Sequence, residues 1–238
     1  MAERFEIEPV AHIRTDSPSK FGIPRQSGVV PTLRGRIVFC PKYRNADALR
    51  GLEGFSHLWL IWQFSANRQS GWQPMVRPPR LGGNRQVGVF ASRSPFRPNS
   101  LGLSAVEIER IEFETPQGPV IHVLGADLMD GTPIFDIKPY VAYADSISQA
   151  RSGFVDDVEF SHLDVVLPDS FRQKLGNNLA DTLVNVLQND PRPPVQADAD
   201  KTFGMPFAGY DVRFRVDGQT LTVVDLVNLS NVEQVEQV

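Results

Sequence analysis

The chain has one cysteine, Cys40, in 238 residues. That excludes an internal disulfide framework and a cysteine-ligated zinc site. Its four histidines, His12, His57, His122 and His162, stand far apart without ligand spacing, so no metal is expected. A Gly-x-Gly-x-x-Gly following a strand is missing, as is a Walker phosphate loop, which argues against Rossmann and P-loop nucleotide sites. The longest apolar run, around His57–Phe64, is far too short to span a bilayer. The opening MAERFEIEPV holds no apolar export core. A cytoplasmic protein with no membrane partner is therefore expected. Hydrophobic residues at 41% and charged residues at 22% suit a soluble globular chain.

Acid is also scarce in one region. Between Gly54 and Val106 there are six arginines and no carboxylate. The formal net charge of -4 hides a split, +9 over residues 1–100 and -13 over residues 101–238. Arginine outnumbers lysine 19 to 5. A GC-rich genome explains that ratio but not the acid-free stretch. Guanidinium suits phosphate and base-plane contacts, so the first half reads as the face for an anionic partner.

The first half reads as short strands between Pro/Gly-rich loops. Phe5–Ile13, Arg36–Cys40, His57–Phe64 and Val87–Ala91 are strand candidates. His57–Phe64 (HLWLIWQF) is apolar on both parities, which predicts burial on both faces. Asn45–Arg50 reads as a helical turn. Leu103–Phe113 alternates with a parity slip that suits a β-bulge, and Val120–Leu124 returns after Pro116-Gln117-Gly118 as its hairpin partner. Cys40 reads as a structural cysteine in an apolar strand. Many short strands with regular turns suggest a barrel. Past a polar linker, Ala142–Asp157, comes a strand at Ser161–Leu167. One long helix over Pro168–Asn189 follows, with Asp169 or Ser170 as N-cap and Asp190-Pro191 as stop. Asp217-Gly218 marks a hairpin between Tyr210–Val216 and Thr220–Leu226. The expected architecture is a mainly β, barrel-like N-terminal domain over residues 1–145 and a small α+β C-terminal domain over 146–238.

The chemistry sits in loops where Pro and Gly stiffen the backbone and Arg, Asn, Gln and Asp supply hydrogen bonds. The segments FGIPRQSG, ADALRGLEGFSHLWLIWQF, GWQPMVRPPRLGG, VGVFASRSPFRPNSLGLSAVE and DLMDGTPIFDIKPY occur in that order. Together they resemble the TsaA-like family, also called TrmO or YaeB-like. NDPRPP and the closing hairpin add a looser match. The resemblance implies an S-adenosylmethionine-dependent tRNA methyltransferase. Its target would be N6 of the threonylcarbamoyl-adenosine beside the anticodon of a threonine-type tRNA. It also implies a β-barrel donor domain and a homodimer.

Carried over by motif, the donor site would hold Pro24, Arg25, Gln26, Phe64, Ser65, Arg93, Leu103, Leu128, Met129, Asp130 and Gly131. Many members of that family carry His where this chain has Ser65, usually Pro where it has Ser100, and tend to have Tyr where it has Pro194-Val195. Arginine can pair with the donor's carboxylate, and an aspartate can accept its hydroxyls or ammonium. Methyl transfer needs alignment rather than a covalent nucleophile. Asp130 and Asp136 are candidate bases, each with a turn-capping alternative. Arg77, Arg80, Arg85 and Arg97, with Arg93, would form a rim for anticodon phosphates, with Trp72 as a base-stacking surface. Trp59 and Trp62 are expected in the core. Two other readings stay open: an RNA-binding module without catalysis, and a small-molecule enzyme with an arginine-rich anion pocket.

Overall fold

The computed structural model describes residues 3–67, 71–78, 81, 85–157, 161–192 and 201–231. The strands β1 (Ala11–Thr15), β2 (Arg34–Phe39) and β3 (His57–Gln63) come first. A two-stranded excursion follows, β4 (Met75–Val76) against β5 (Val87–Gly88). Then come β6 (Leu101–Glu112), β7 (Val120–Leu124) and β8 (Pro133–Pro139). Six of these close a barrel in the order β1-β2-β7-β6-β3-β8, with every pairing antiparallel.

The central strand β3 behaves differently from the two-faced expectation. Leu58, Leu60 and Trp62 fill the barrel, while His57, Trp59 and Ile61 lie on its outer side. A strand in a closed barrel has one face inside and one outside; apolar residues on both parities cannot both enter. Trp59 instead meets Tyr140, with ring centroids 5.6 Å apart. The parity slip in β6 is a register shift between Ile108 and Arg110 against β7. The strand expected at Phe5–Ile13 begins at Ala11, leaving Phe5 and Ile7 exposed. Val87–Ala91 is a strand for two residues, then a 3-10 turn. Asn45 caps the turn Ala46–Leu49 by accepting the Asp47 N–H.

Sequence order and strand direction place the site. Successive barrel strands run in opposite directions, so the connections 16–33, 64–100 and 125–132 all leave and return at one rim. The register agrees: Thr15 faces Gly35, Arg34 faces Leu124, and Gln63 faces Leu101.

Beyond a short helix, α1 (Ala142–Asp145), the second half builds a four-stranded sheet with one helical layer. Its elements are β9 (Asp164–Val166), α2 (Asp169–Leu175), α3 (Asn177–Gln188), β10 (Phe203–Phe207), β11 (Tyr210–Asp217) and β12 (Thr220–Asn228). The single helix expected over Pro168–Asn189 is two. Gly176 takes φ 78° and ψ 155°, a conformation that breaks the helix and that side chains disfavour. Pro168 stands at the N-cap, so neither Asp169 nor Ser170 does. Apolar residues from α3 and the sheet form a second core distinct from that of the barrel.

Candidate active site

The three connections at the common rim enclose a cleft of about 780 Å³, a size suited to a nucleoside-like ligand. Ile23, Pro24, Arg25 and Gln26 come from the first connection. Phe64, Ser65, Ser92, Arg93, Pro95 and Arg97 come from the second, and Asp127, Met129 and Thr132 from the third. Ile61, Trp62, Leu101, Gly102 and Leu103 add the strand edges. Trp62 and Phe64 meet edge to face at 4.4 Å, a rigid aromatic wall.

A chain of hydrogen bonds runs along the base of the cleft. Trp62 Nε1 donates to Ser104 Oγ at 2.9 Å, and Ser104 Oγ donates to Asp127 Oδ1 at 2.6 Å. The acceptor Asp127 is partly buried. Loss of water pushes its carboxyl above the usual aspartate range, opposed by the Ser104 bond, backbone N–H groups including that of Ser27, and the Arg93 charge. Arg93 Nη1 donates to Gln26 Oε1, tying the second connection to the first. Lys20, Arg25, Arg93 and Arg97 give the cleft a cationic lining, against the one carboxylate of Asp127 among its described lining residues.

The expected donor residues separate into two groups. Pro24, Arg25, Gln26, Phe64, Ser65, Arg93, Leu103 and Met129 border the cleft. Leu128, Asp130 and Gly131 do not; they fasten its third connection. The Leu128 side chain is buried in the barrel core, and its carbonyl accepts from Thr15 Oγ1 at 3.2 Å. Asp130 Oδ1 accepts the Thr15 N–H at 3.0 Å, and its other oxygen lies 3.4 Å from Arg14 Nη1. Gly131 takes φ 75° in the turn closed by Thr132 Oγ1 on the Met129 carbonyl at 2.7 Å. Asp136, in β8 opposite Ile61, accepts its neighbour's N–H from Ile137 and pairs with Lys138 at 3.1 Å.

A larger trough of about 1400 Å³ adjoins the cleft and shares Arg25, Gln26, Ser92, Arg93 and Pro95 with it. Its described lining has five arginines, Arg25, Arg77, Arg85, Arg93 and Arg151, and no carboxylate. Arg97, expected at the RNA face, borders the first cleft instead, and its guanidinium donates to the Ser92 carbonyl at 2.9 Å. Trp72 is 57% exposed beside Gln73, which does line the trough. Arg80 lies outside the described residues.

Comparison with known proteins fits this geometry. The tRNA-methyltransferase O N-terminal domain family matches residues 12–146, and the TrmO C-terminal domain family matches residues 157–229. The chain belongs to the TrmO family. A tRNA (adenine(37)-N6)-methyltransferase of Escherichia coli K12 is 38% identical over 221 residues, 89% of this chain and 93% of that protein. A putative S-adenosylmethionine-dependent methyltransferase of Pseudomonas aeruginosa is 38% identical over 215 residues, 87% of this chain and 91% of that one. The crystal structure of TrmO from P. aeruginosa superposes with a TM-score of 0.77 at 30% identity, covering 96% of this chain and 99% of that one.

The cleft and trough of this TrmO-family chain also hold residues that its motifs did not single out. Asp127 stands three residues before Asp130 in the same DLMD segment, and spacing alone does not say which aspartate meets the cleft. Lys20 and Arg151 sit outside the quoted motifs. Only the fold brings Arg151, from past the barrel, to the trough. The donor's chemistry suits what is present: apolar and aromatic walls for its adenine and the carbons around its sulfonium, and arginines for its carboxylate.

Proposed function

We propose that this chain transfers a methyl group from S-adenosylmethionine to N6 of adenosine 37 in tRNA, with threonylcarbamoyl-adenosine in a threonine-type tRNA as the nucleotide it takes. One observation carries the reading: the donor-sized cleft runs into the acid-free arginine trough through Arg25 and Arg93. A small-molecule site thus opens onto a surface made for a polyanion.

The bound donor supplies an electrophilic methyl group on a sulfonium. The residues of the chain bind and orient. Arg25 and Arg93 hold the carboxylate end, and Ile61, Phe64 and Leu103 flank the apolar part. At Ser65 a small side chain and the backbone take the place of a larger one. The N6–H of the modified base adjoins a carbonyl, so a weak base suffices to take its proton. Asp127 borders the cleft and is held with a raised pKa; this makes it, rather than Asp130 or Asp136, the carboxylate placed to receive that proton. Arg77, Arg85 and Arg151 track phosphates of the anticodon arm, and Trp72 offers a stacking face at the trough's edge.

The proposal includes a cytoplasmic homodimer whose loop-rich rims meet, each completing the other's trough. Phe90, at the trough, is 75% exposed, an apolar side chain that a partner's rim would cover. Specific activity that falls on dilution supports the dimer, and activity independent of concentration overturns it.

The test is nucleoside mass spectrometry of threonine-type tRNA after incubation with purified protein and S-adenosylmethionine. A new methylated threonylcarbamoyl-adenosine is the expected product. Calorimetric binding of the donor without any tRNA methylation would favour a different acceptor, and no donor binding would leave an RNA-binding module.

A further inference from the structure

The connection that carries Pro24, Arg25 and Gln26 belongs to the barrel by sequence but is held at both ends by the other core. On the outward path, Phe21 packs against the C-terminal apolar cluster. Gly22 follows at φ 88°, so close to β10 that a Cβ there would lie 2.2 Å from Met205 Sδ. On the return, Val30 and Leu33 are 1% and 5% exposed and belong to that same cluster. The backbone joins in: the Ala208 N–H donates to the Asp16 carbonyl at 2.9 Å. Between these footholds the barrel contributes a further tie, from the Gly28 N–H to the Gly125 carbonyl at 2.9 Å.

The connection 16–33 is long, rich in Gly, Ser and Pro, and has no strand or helix of its own. Left to itself it would sample many conformations and would have to be ordered on each binding event, which weakens affinity. Two apolar anchors in the C-terminal core remove most of that freedom beforehand. They also make the order of the loop conditional on the C-terminal core.

We propose that the C-terminal core is the positioning element for methyl-donor binding, acting on the 24–26 loop through Met205 on one side and Val30 with Leu33 on the other. This rests on the assignment of 24–26 to the donor. By linkage the effect is reciprocal: donor binding at the barrel stabilises the C-terminal core.

The test measures S-adenosylmethionine affinity by calorimetry on the full chain, at a temperature where circular dichroism shows each variant folded. Met205→Ala and Val30→Ala are expected to weaken donor binding by roughly 5- to 50-fold. Turnover at saturating donor should stay within about twofold of wild type, because the reacting groups are untouched. Met205→Leu, which keeps the volume, should restore binding. Leu221→Ala serves as the control. It removes buried volume from the same core, but beside Val216 and the Asp217-Gly218 hairpin, at the far end of the sheet from Ala208. Its donor affinity should match wild type. Wild-type affinity in both Met205→Ala and Val30→Ala overturns the proposal, as does an equal loss in Leu221→Ala. Wild-type protein that binds no donor overturns the assignment of the loop itself, and this proposal with it.

Discussion

Three aspartates within ten residues, Asp127, Asp130 and Asp136, have three different settings, and the settings predict different responses to the same change. Asp130 accepts the Thr15 N–H and is not in the lining of the 780 Å³ cleft. Asp130→Asn keeps an acceptor and should leave turnover within a fewfold of wild type. Asp130→Ala leaves that N–H without its acceptor and should cost about 1–2 kcal/mol in denaturant unfolding. A large loss of turnover in Asp130→Asn, with donor binding intact, would instead make it the base. Asp127 differs because its folded-state pKa lies above the unfolded value. Such a group favours the folded state most below its unfolded pKa, and that contribution is lost as pH rises through the folded pKa. Asn at 127 can still accept from Ser104 but carries no charge. Asp127→Asn should therefore gain in melting temperature relative to wild type as pH rises from about 4 to 7, while turnover falls. A gap in melting temperature that narrows over the same range would reverse the assignment.

Elements show where local pattern sufficed and where it failed. The bulge in β6 was legible because a parity slip is a local event, visible as Val106 and Ile108 followed by Ile111 and Phe113. The hairpin at Asp217-Gly218 was legible for the same reason. The break at Gly176 was not, because Phe171, Leu175, Leu179, Leu183 and Leu187 recur every four residues straight through it. A spacing of four over five residues drifts from the 3.6 period, so the row does not stay on one face of a continuous helix. Restarting at Asn177 resets the phase, and Leu183 and Leu187 are then fully buried. The start of β6 has a tighter constraint. A Cβ on Gly102 would lie 2.4 Å from the Trp62 ring. Gly102→Ala should push that ring from its place and strain its bond to Ser104, which in turn bonds Asp127. The expected cost is about 1–3 kcal/mol in unfolding, with weaker donor binding by calorimetry. Unchanged donor binding would show that the donor does not lie against Trp62.

Charge becomes informative at the scale of the whole molecule. A net charge of -4 describes neither half, and on the proposed reading it is the trough, not the average, that a nucleic acid meets. Affinity for tRNA should fall steeply with salt. Arg77→Ala and Arg85→Ala should each weaken binding and reduce the logarithmic salt slope by about 1. Filter binding across a salt series measures both effects, and a slope unchanged in both variants would remove these arginines from the interface. The sequence by itself determined a mainly β first half with the slip in β6, the hairpin at Asp217-Gly218, the acid-free arginine stretch and the family. These are written in local periodicity and in motifs of consecutive residues. Tertiary structure alone decided which aspartate meets the cleft, that Arg97 lies in the cleft rather than along the trough, and that Arg151 joins the trough. It also decided that Met205 lies under a loop nearly two hundred residues earlier in the chain. Those outcomes depend on contacts between residues far apart in sequence, and such contacts arise only when two separate cores close around one connection.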